Sequence, residues 1–238
     1  MPISYVGAGT AVQTSTTTLT LAGHADSQVD DIHLAHIISI NNTAISAPDS
    51  TWNEISQSNF TGSRGAVFWK RITASGAGSY AFTVGGTTTS YGIVTAHRGC
   101  KKNGKPYGTS TTSSNASADA VTYATIVPHS NNGSLLAIGF YAEDATTPGT
   151  VSGAVYTFAA PDVDVEQATL EDASIFVSIA PMTTNAASGA LTQATTSTVD
   201  AVNQGILVDL MSSESERGDY NNTNGNVLYP KLNRRGIR

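Results

Sequence analysis

Residues 65–99, GAVFWKRITASGAGSYAFTVGGTTTSYGIVTAHRG, decide the fold that we expect for this chain. Three segments in this stretch are rich in β-branched and aromatic residues, and glycine clusters separate them: 67–72, 80–84 and 91–97. Because the glycine breaks are too short for a crossover helix, we predict an antiparallel β-meander. In the middle segment Tyr80, Phe82 and Val84 share one face, which predicts a buried face that other elements must cover.

The composition favours strands over helices. Only 13% of the 238 residues are charged, and the abundance of Ser, Thr, Ala, Gly and Asn suits short strands joined by turns. We therefore predict an all-β protein, an antiparallel two-sheet β-sandwich of jelly-roll type with an extended C-terminal arm.

Apolar segments outside this stretch continue the strand pattern. Residues 32–40 are the longest apolar run of the first half, which predicts a central strand covered on both faces. Trp52 and Ile55 are expected in the core, and the polar segment 101–118 is expected to be a surface loop. Later strands are predicted at 121–127, 134–141, 154–158, 174–179, 190–195 and 205–210.

The sequence predicts one sandwich domain over residues 1–212 and an arm over 213–238. Two pairs of segments echo each other: 31–35 with 133–137, and 91–94 with 204–208. This echo indicates a pseudo-duplication of halves 1–100 and 119–212. The alternative is a chance similarity between two β-rich segments of like composition.

The charge balance and the single cysteine limit the partners and the compartment. Twelve basic and 18 acidic residues give a net charge of −6. The molecule as a whole therefore lacks the net positive charge that is typical of proteins that bind nucleic acid. No apolar run is long enough to span a membrane, and the first residues do not read as a secretory signal. Since Cys100 has no partner for an internal disulfide, we expect assembly in a reducing cytoplasm.

The search for reactive groups predicts no catalytic residue and no cofactor. His33 and His36 fall on opposite faces of a strand, so they cannot share a metal ion. His97 and Cys100 are expected to be a structural histidine and an inert thiol, because neighbouring strand residues point apart.

One acidic segment offers a weak candidate for a metal site. Asp162, Asp164 and Glu166 alternate with valines, so three carboxylates line one face of a strand and could bind Ca²⁺. The alternative is a solvated strand face whose valines turn inward.

Two further sets of residues are candidates for contacts with partners. Glycans could stack on Trp69, Tyr107 or Tyr141 beside the loop at 101–118. The C-terminal arm could contact the acidic surface of a neighbouring subunit, or it could fold back on its own sandwich. The residues of this contact would be an apolar strand and a basic tip: Val227, Leu228, Tyr229, Lys231, Arg234, Arg235 and Arg238.

Four sequence elements follow one another in the first half of the chain. They are an aspartate that opens an apolar strand, a tryptophan turn, a strand that ends in Lys-Arg, and an Arg-Gly that closes the segment: Asp31–Leu34, Trp52, Phe68–Arg71 and Arg98-Gly99. This order of segments resembles a group of β-sandwich virion proteins of tailed bacteriophages. The resemblance covers residues 5–99 well and 133–210 loosely.

The resemblance implies structural and attachment roles without catalytic residues. We expect a non-enzymatic virion component, either a head decoration or a tail-associated protein, which oligomerises and contacts other virion proteins. It would assemble in the host cytoplasm and leave by lysis. The alternative is a tail protein that binds a receptor or glycan on the host surface.

Overall fold

The computed structural model describes residues 2–85, 89–118, 120–142, 148–153, 155–167, 173–195 and 201–214. These residues form strands and no helix, and hence no helix that could span a membrane, so the all-β prediction is confirmed. The strands of the first half are β1 (Ser4–Ala8), β2 (Val12–Thr14), β3 (Thr18–Ala22), β4 (Ile32–Ser39), β5 (Asn53–Phe60), β6 (Ser63–Arg71), β7 (Ser79–Thr83) and β8 (Ser90–Arg98). Those of the second half are β9 (Tyr107–Ala118), β10 (Ala120–Tyr123), β11 (Ser134–Ala142), β12 (Pro148–Ser152), β13 (Val163–Gln167), β14 (Ala173–Pro181), β15 (Leu191–Thr195) and β16 (Ala201–Leu210).

The strands form a large and a small antiparallel sheet in each half. The first large sheet has the order β1-β8-β4-β6-β5, with β2 also on β8, and the second has the order β9-β16-β11-β14-β13. The small sheets are β3-β7 and β10-β15-β12. An isolated bridge between Ser46 and Thr83 of β7 adds a third segment to the first of these sheets, at the place that β12 has in the second. In both halves, therefore, the chain passes between the two sheets in the same jelly-roll order.

The four sheets stack as four layers with three apolar cores. The two large sheets face each other across a central core, which contains Trp69 and Ile93 of the first half and Phe140 and Ile206 of the second. Each small sheet covers the outer face of its large sheet and encloses a separate outer core. The sandwich prediction is confirmed, and the structure adds that two sandwiches share a core.

The four layers explain why the inner strands lack polar alternation. Along β4, Leu34 and Ile38 point into the central core, whereas Ala35 and Ile37 point into the outer core of the first half. Every residue of β4 is buried, as predicted for residues 32–40. A strand with apolar material on both faces needs apolar residues at consecutive positions.

The predicted meander is wrong in its pairing, although its three strands exist. β6 pairs with β4 and β5, β8 pairs with β4 and β1, and β7 lies in the small sheet on β3. The face of Tyr80, Phe82 and Val84 is buried as predicted, and Trp52 packs against it. The pairing differs because the short glycine-rich breaks let the chain cross to another layer, and nothing in a break distinguishes that crossing from a hairpin.

Two other predicted segments differ from the structure. Most of the expected loop at 101–118 is strand β9, because β16 supplies a ladder of hydrogen bonds to a Thr/Ser-rich segment that has no apolar period. Residues 155–158 form no strand, while Tyr156 and Phe158 still fill the outer core of the second half. Burial of their rings and the hydrogen bonds from the Tyr156 hydroxyl to Thr184 and Ala186 hold this segment without a ladder.

The strands that the sequence echo aligned take equivalent places in the two halves. β4 and β11 each lie at the centre of a large sheet, and β8 and β16 each pair with that central strand and with the first strand of their half. The segments 31–35 and 133–137 begin the first pair of strands. The shared strand order agrees with a duplication, which remains a prediction.

Gly205 is a point of close approach that provides a test of this packing. Gly205 on β16 pairs with Gly139 on β11, and the ring of Tyr123 lies above both. A Cβ atom on Gly205 would overlap the carbonyl oxygen of Thr122 and lie 2.8 Å from Cδ1 of Tyr123. We expect Gly205→Ala to lower the free energy of unfolding by about 1–3 kcal/mol, measured by urea denaturation.

The matched control is Gly139→Ala in the same glycine pair. The nearest atoms to its Cβ are side-chain atoms of Phe176 and Tyr123, at 3.1 and 3.3 Å, which can shift slightly. A smaller loss is therefore expected. Equal losses for both variants would contradict the close approach of β10 to β16.

Candidate functional site

Charged side chains of the first half meet the linker between the halves at one end of the four layers. The linker follows β8, and its residues Gly99 to Lys101 run antiparallel to the segment that follows β16. Lys101 donates its N–H to the carbonyl of Met211 at 2.7 Å, and Ser213 donates to Gly99 at 2.9 Å. We call this region the junction. Here the last strand of each half is extended and the two extensions are hydrogen-bonded to each other.

The ion pair of Asp31 with Arg98 is the centre of the junction. Asp31 precedes β4 and Arg98 ends β8, and these two strands are neighbours in the first large sheet. Arg98 Nε donates to Asp31 Oδ1 at 2.9 Å, and Nη2 donates to Oδ2 at 2.8 Å. The Asp31 side chain is only 2% exposed and that of Arg98 is 33% exposed. A bidentate ion pair of this kind fixes the relative orientation of the two side chains as well as pairing their charges.

Other hydrogen bonds complete the environment of the ion pair. The backbone N–H of Gln28 donates to Asp31 Oδ2 at 2.8 Å, and Arg98 also donates to the carbonyl of Asp26 at 3.0 Å. The hydrogen bonds to Asp31 raise the pKa of the Arg98 guanidinium above its ordinary value, against the opposing effect of burial. The Arg98 guanidinium therefore remains charged through the physiological range of pH.

Arg71 connects β6 to the same junction. Its Nη1 donates to the carbonyl of Asp30 at 3.3 Å and its Nη2 to the carbonyl of Lys101 at 2.5 Å. Next to it, Lys102 forms a salt bridge with Asp30 at 3.0 Å, but both of these side chains are largely exposed. Arg71 thus holds the linker, while the exposed pair contributes little.

A small open cavity of about 220 Å³ lies at the junction. It is lined by the two ion pairs together with Val29, Cys100 and Ser213. Burial raises the pKa of the Cys100 thiol to about 12, although the charge of Arg71 acts against this rise. A protonated thiol is a weak nucleophile, so Cys100 has the properties of the inert thiol that was expected. The arrangement can bind and position backbone.

The Asp31–Arg98 pair predicts an asymmetric effect of substitution. Arg98→Ala leaves a buried carboxylate without its cation, and we expect a loss of about 2–3 kcal/mol in the free energy of unfolding. This is less than a fully buried pair would lose, since Arg98 is partly solvated. Lys102→Ala removes the exposed pair and should cost no more than about 0.5 kcal/mol. Equal losses from the two variants in urea denaturation would show that the junction ion pair has no special role.

The acidic segment at the start of β13 has the orientation of a solvated strand. Val163 and Val165 pack against the central core, while Asp162 and Asp164 are exposed. Burial of part of Asp162 raises its pKa above the ordinary value for a carboxyl group. Among the described side chains no group of three metal-ligating residues occurs. The side chain of Glu166 is not one of the described side chains.

The aromatic residues expected to stack on glycans are buried. Trp69 and Tyr107 belong to the central core, and Tyr141 belongs to the outer core of the second half. The prediction of an exposed platform from these residues is wrong, because the two large sheets are covered on both faces. The ammonium group of Lys105 lies over the Tyr107 ring, 5.4 Å from its centroid.

The histidines of the first large sheet form a buried cluster that the sequence analysis did not identify. His33 and His36 lie on opposite faces of β4, as predicted: His33 contacts Ser27 and Tyr80, and His36 contacts Thr95. Thr95 also contacts His97, two residues further along β8. The Thr95-x-His97 spacing was a readable signal for one shared face, but the contact with His36 depends on the register of β4 against β8.

The residues of the C-terminal arm proposed for subunit contacts, 227–238, lie outside the described residues. The structure describes the chain as far as Glu214, at the junction. Comparisons of the chain with protein-family models, with curated proteins and with solved structures gave no match.

Proposed function

We propose that this chain is a non-enzymatic structural component of a tailed-phage virion, exposed on the head or the tail. The observation that carries the proposal is the convergence of Asp31, Arg71 and Arg98 at the junction. These residues belong to the segments by which the sequence resembles phage virion proteins. They bind one another and the linker, so their chemistry serves to join the two halves of one body.

The packing supports a mechanical role for this body. The inner strands of both large sheets are buried on both faces, and close-packed interiors of this kind resist compression and transmit force. The linker and the segment that follows β16 are hydrogen-bonded at the junction. The two halves are therefore joined there twice, by the covalent linker and by these hydrogen bonds. In this proposal the chain assembles into a symmetric oligomer on the particle. Each specific contact would bury more than ~1,000 Å².

The direct experiment tests whether the protein is part of a particle. Purified full-length chain would be added to phage particles that lack it, and its incorporation would be followed by electron microscopy and by mass spectrometry of the repurified particles. We expect regular extra density on the head or the tail. If the protein stays in the supernatant and wild-type particles contain none of it, the proposal is wrong.

Truncation and substitution test the role of the arm separately. A chain that ends at Glu214 keeps the junction hydrogen bonds and should fold, but we expect it not to join the particle. Two full-length variants separate the contributions of the arm: serine at Val227, Leu228 and Tyr229, or glutamine at Lys231, Arg234, Arg235 and Arg238. Normal incorporation of the truncated chain would remove the arm from the mechanism and leave the virion role in place.

Attachment to a host receptor or glycan is the competing function. None of the three aromatic residues expected to stack on sugars is exposed. A stable oligomer that binds host cells or purified polysaccharide, and that does not add to deficient particles, would favour attachment over a structural role.

A further inference from the structure

Two imidazoles and one hydroxyl form a closed group between the large sheets. His36 Nε2 and His97 Nε2 each lie 2.9 Å from the same atom, Thr95 Oγ1. All three side chains are fully buried. They lie on the face of β4 and β8 that also carries Leu34 and Ile93, so the group points into the central core.

The two hydrogen bonds of this group require at least one of the imidazoles to be neutral. The Thr95 hydroxyl has one proton, which it can donate to one Nε2, while it accepts the N–H of the other ring. Neither His36 Nδ1 nor His97 Nδ1 has a protein partner among the described residues. A proton added to the ring that donates to Thr95 places a charge and a second N–H, which has no acceptor, in an apolar interior. A proton added to the other ring places a charge there and removes the acceptor of the Thr95 hydroxyl.

The surroundings of the group do not compensate for such a charge. The described side chains that β11, β13, β14 and β16 turn to the central core are apolar apart from Ser134 and Gln204. On β6 the neighbours are Val67 and Trp69. The other described side chains of this core that carry an ionisable group are phenols and a thiol, which are uncharged when protonated: Tyr5, Tyr91, Tyr107 and Cys100.

Outside the core, two ionisable groups act on His97 in opposite directions. The Asp31 carboxylate favours a charged imidazole, but Arg98 neutralises it; His33, on the other face of β4, disfavours the charge. Burial has the largest effect and lowers the pKa of His36 and of His97 to about 3. The Tyr5 ring, with its centroid 5.8 Å from that of His97, closes the side of the group next to β1.

We propose that His36, Thr95 and His97, which lie on neighbouring strands of the first large sheet, form an acid-sensitive catch on the face that this sheet turns to the second. At neutral pH the group is uncharged and the central core stays closed. When either imidazole takes up a proton, the large sheets separate and water reaches the ring. This inference rests on the fold and is independent of the virion role.

The expected size of the effect follows from the ordinary pKa of a solvated histidine, about 6.5. An imidazole that binds a proton only in the open form increases the population of that form ~30-fold between pH 7.5 and pH 5. Two such imidazoles together give an increase of up to ~1,000-fold.

Cys100 is a native probe of this opening. It is the one cysteine of the chain, and its buried side chain belongs to the central core. In full-length protein we would measure the reaction of Cys100 with 4,4′-dithiodipyridine, which labels thiols in mild acid, relative to a free thiol at the same pH. We expect Cys100 to lose protection by more than 30-fold at pH 5.

Matched variants separate the catch from general acid unfolding. His36→Gln and His97→Gln should each remove ~30-fold of the acid effect, and the double variant should abolish it. His33→Gln, on the same strand but facing the outer core, should leave the acid effect on Cys100 intact. Equal protection of wild-type Cys100 at pH 7.5 and pH 5 overturns the proposal. So does an acid effect that His33→Gln removes as fully as His36→Gln.

A second measurement leaves the histidines in place. Trp69 belongs to the central core and Trp52 to the outer core of the first half, and the chain has no other tryptophan. Between pH 7.5 and pH 5, acrylamide quenching should increase in Trp52→Phe, which reports Trp69, and stay constant in Trp69→Phe, which reports Trp52. Unchanged quenching in both variants, or an equal increase in both, contradicts a catch located between the large sheets.

Discussion

Lowering the pH from 7.5 to 5 is expected to reduce the free energy of unfolding by about 6 kcal/mol. Burial lowers the pKa of His33 to about 4, and that of His36 and of His97 to about 3, in the folded protein. In the unfolded chain these histidines bind protons below about pH 6.5. Each one therefore contributes a loss of about 2 kcal/mol over this interval, and three such losses exceed the effect of most single substitutions.

The direction of this pH dependence follows from proton uptake. The histidines of the unfolded state bind protons that those of the folded state do not bind. The contribution of the neutral histidines to stability is therefore complete above pH 6.5 and is lost as the pH drops toward their pKa values in the folded protein, about 4 and about 3. Burial also raises the pKa of Asp162 and Asp209, which favours proton uptake by the folded state and opposes part of the loss in stronger acid.

Urea denaturation at pH 7.5, 6 and 5, followed by circular dichroism, measures this dependence. His129→Gln, which replaces an exposed histidine, is the control variant. Equal unfolding free energies for the wild-type protein at pH 7.5 and pH 5 would show that the three histidines are not buried as neutral groups.

Replacing Phe140 with alanine is expected to lower the free energy of unfolding by about 3–5 kcal/mol. Phe140 is fully buried on β11, and its ring approaches Gly65 on β6 of the other half. Around it, the amide of Gln204 on β16 donates to the Ser58 hydroxyl on β5. A cavity here removes contacts that join the two large sheets, so both halves should lose stability together.

Two variants calibrate this loss. Phe140→Leu retains most of the volume and should cost about 1–1.5 kcal/mol. Val127→Ala alters an apolar side chain that is 60% exposed and should change stability by less than about 0.5 kcal/mol. If Phe140→Ala costs no more than Val127→Ala, the central core is not the packed interface that the sheets indicate.

Local sequence pattern located most strands but could not select their partners. The strands β6, β7 and β8 overlap the predicted segments at 67–72, 80–84 and 91–97, and only the first residue of β6 differs from its predicted position by more than one residue. The alternation in β7 also gave its buried face correctly. Which strands pair depends on contacts between distant residues, and the breaks near Gly76 and Gly85 allow a hairpin and a layer crossing equally.

The site shows the same division between local and distant information. Asp31 and Arg98 were recognised as elements of a resemblance, but their ion pair exists only because β4 lies beside β8. Trp69 and Tyr141 are equally suitable for a sugar-binding surface and for a core. Their burial follows from the four layers, which the residues around them do not reveal.

The central claim is that two jelly-roll halves share one core and therefore unfold as one body. Pulsed hydrogen exchange with mass spectrometry, across the urea transition of the full-length protein at pH 7.5, tests it without any substitution. Peptides from β4 and β6 should lose protection at the same urea concentration as peptides from β11 and β14. If either half keeps its protection where the other has lost it, the two halves are independent domains and the shared core is wrong.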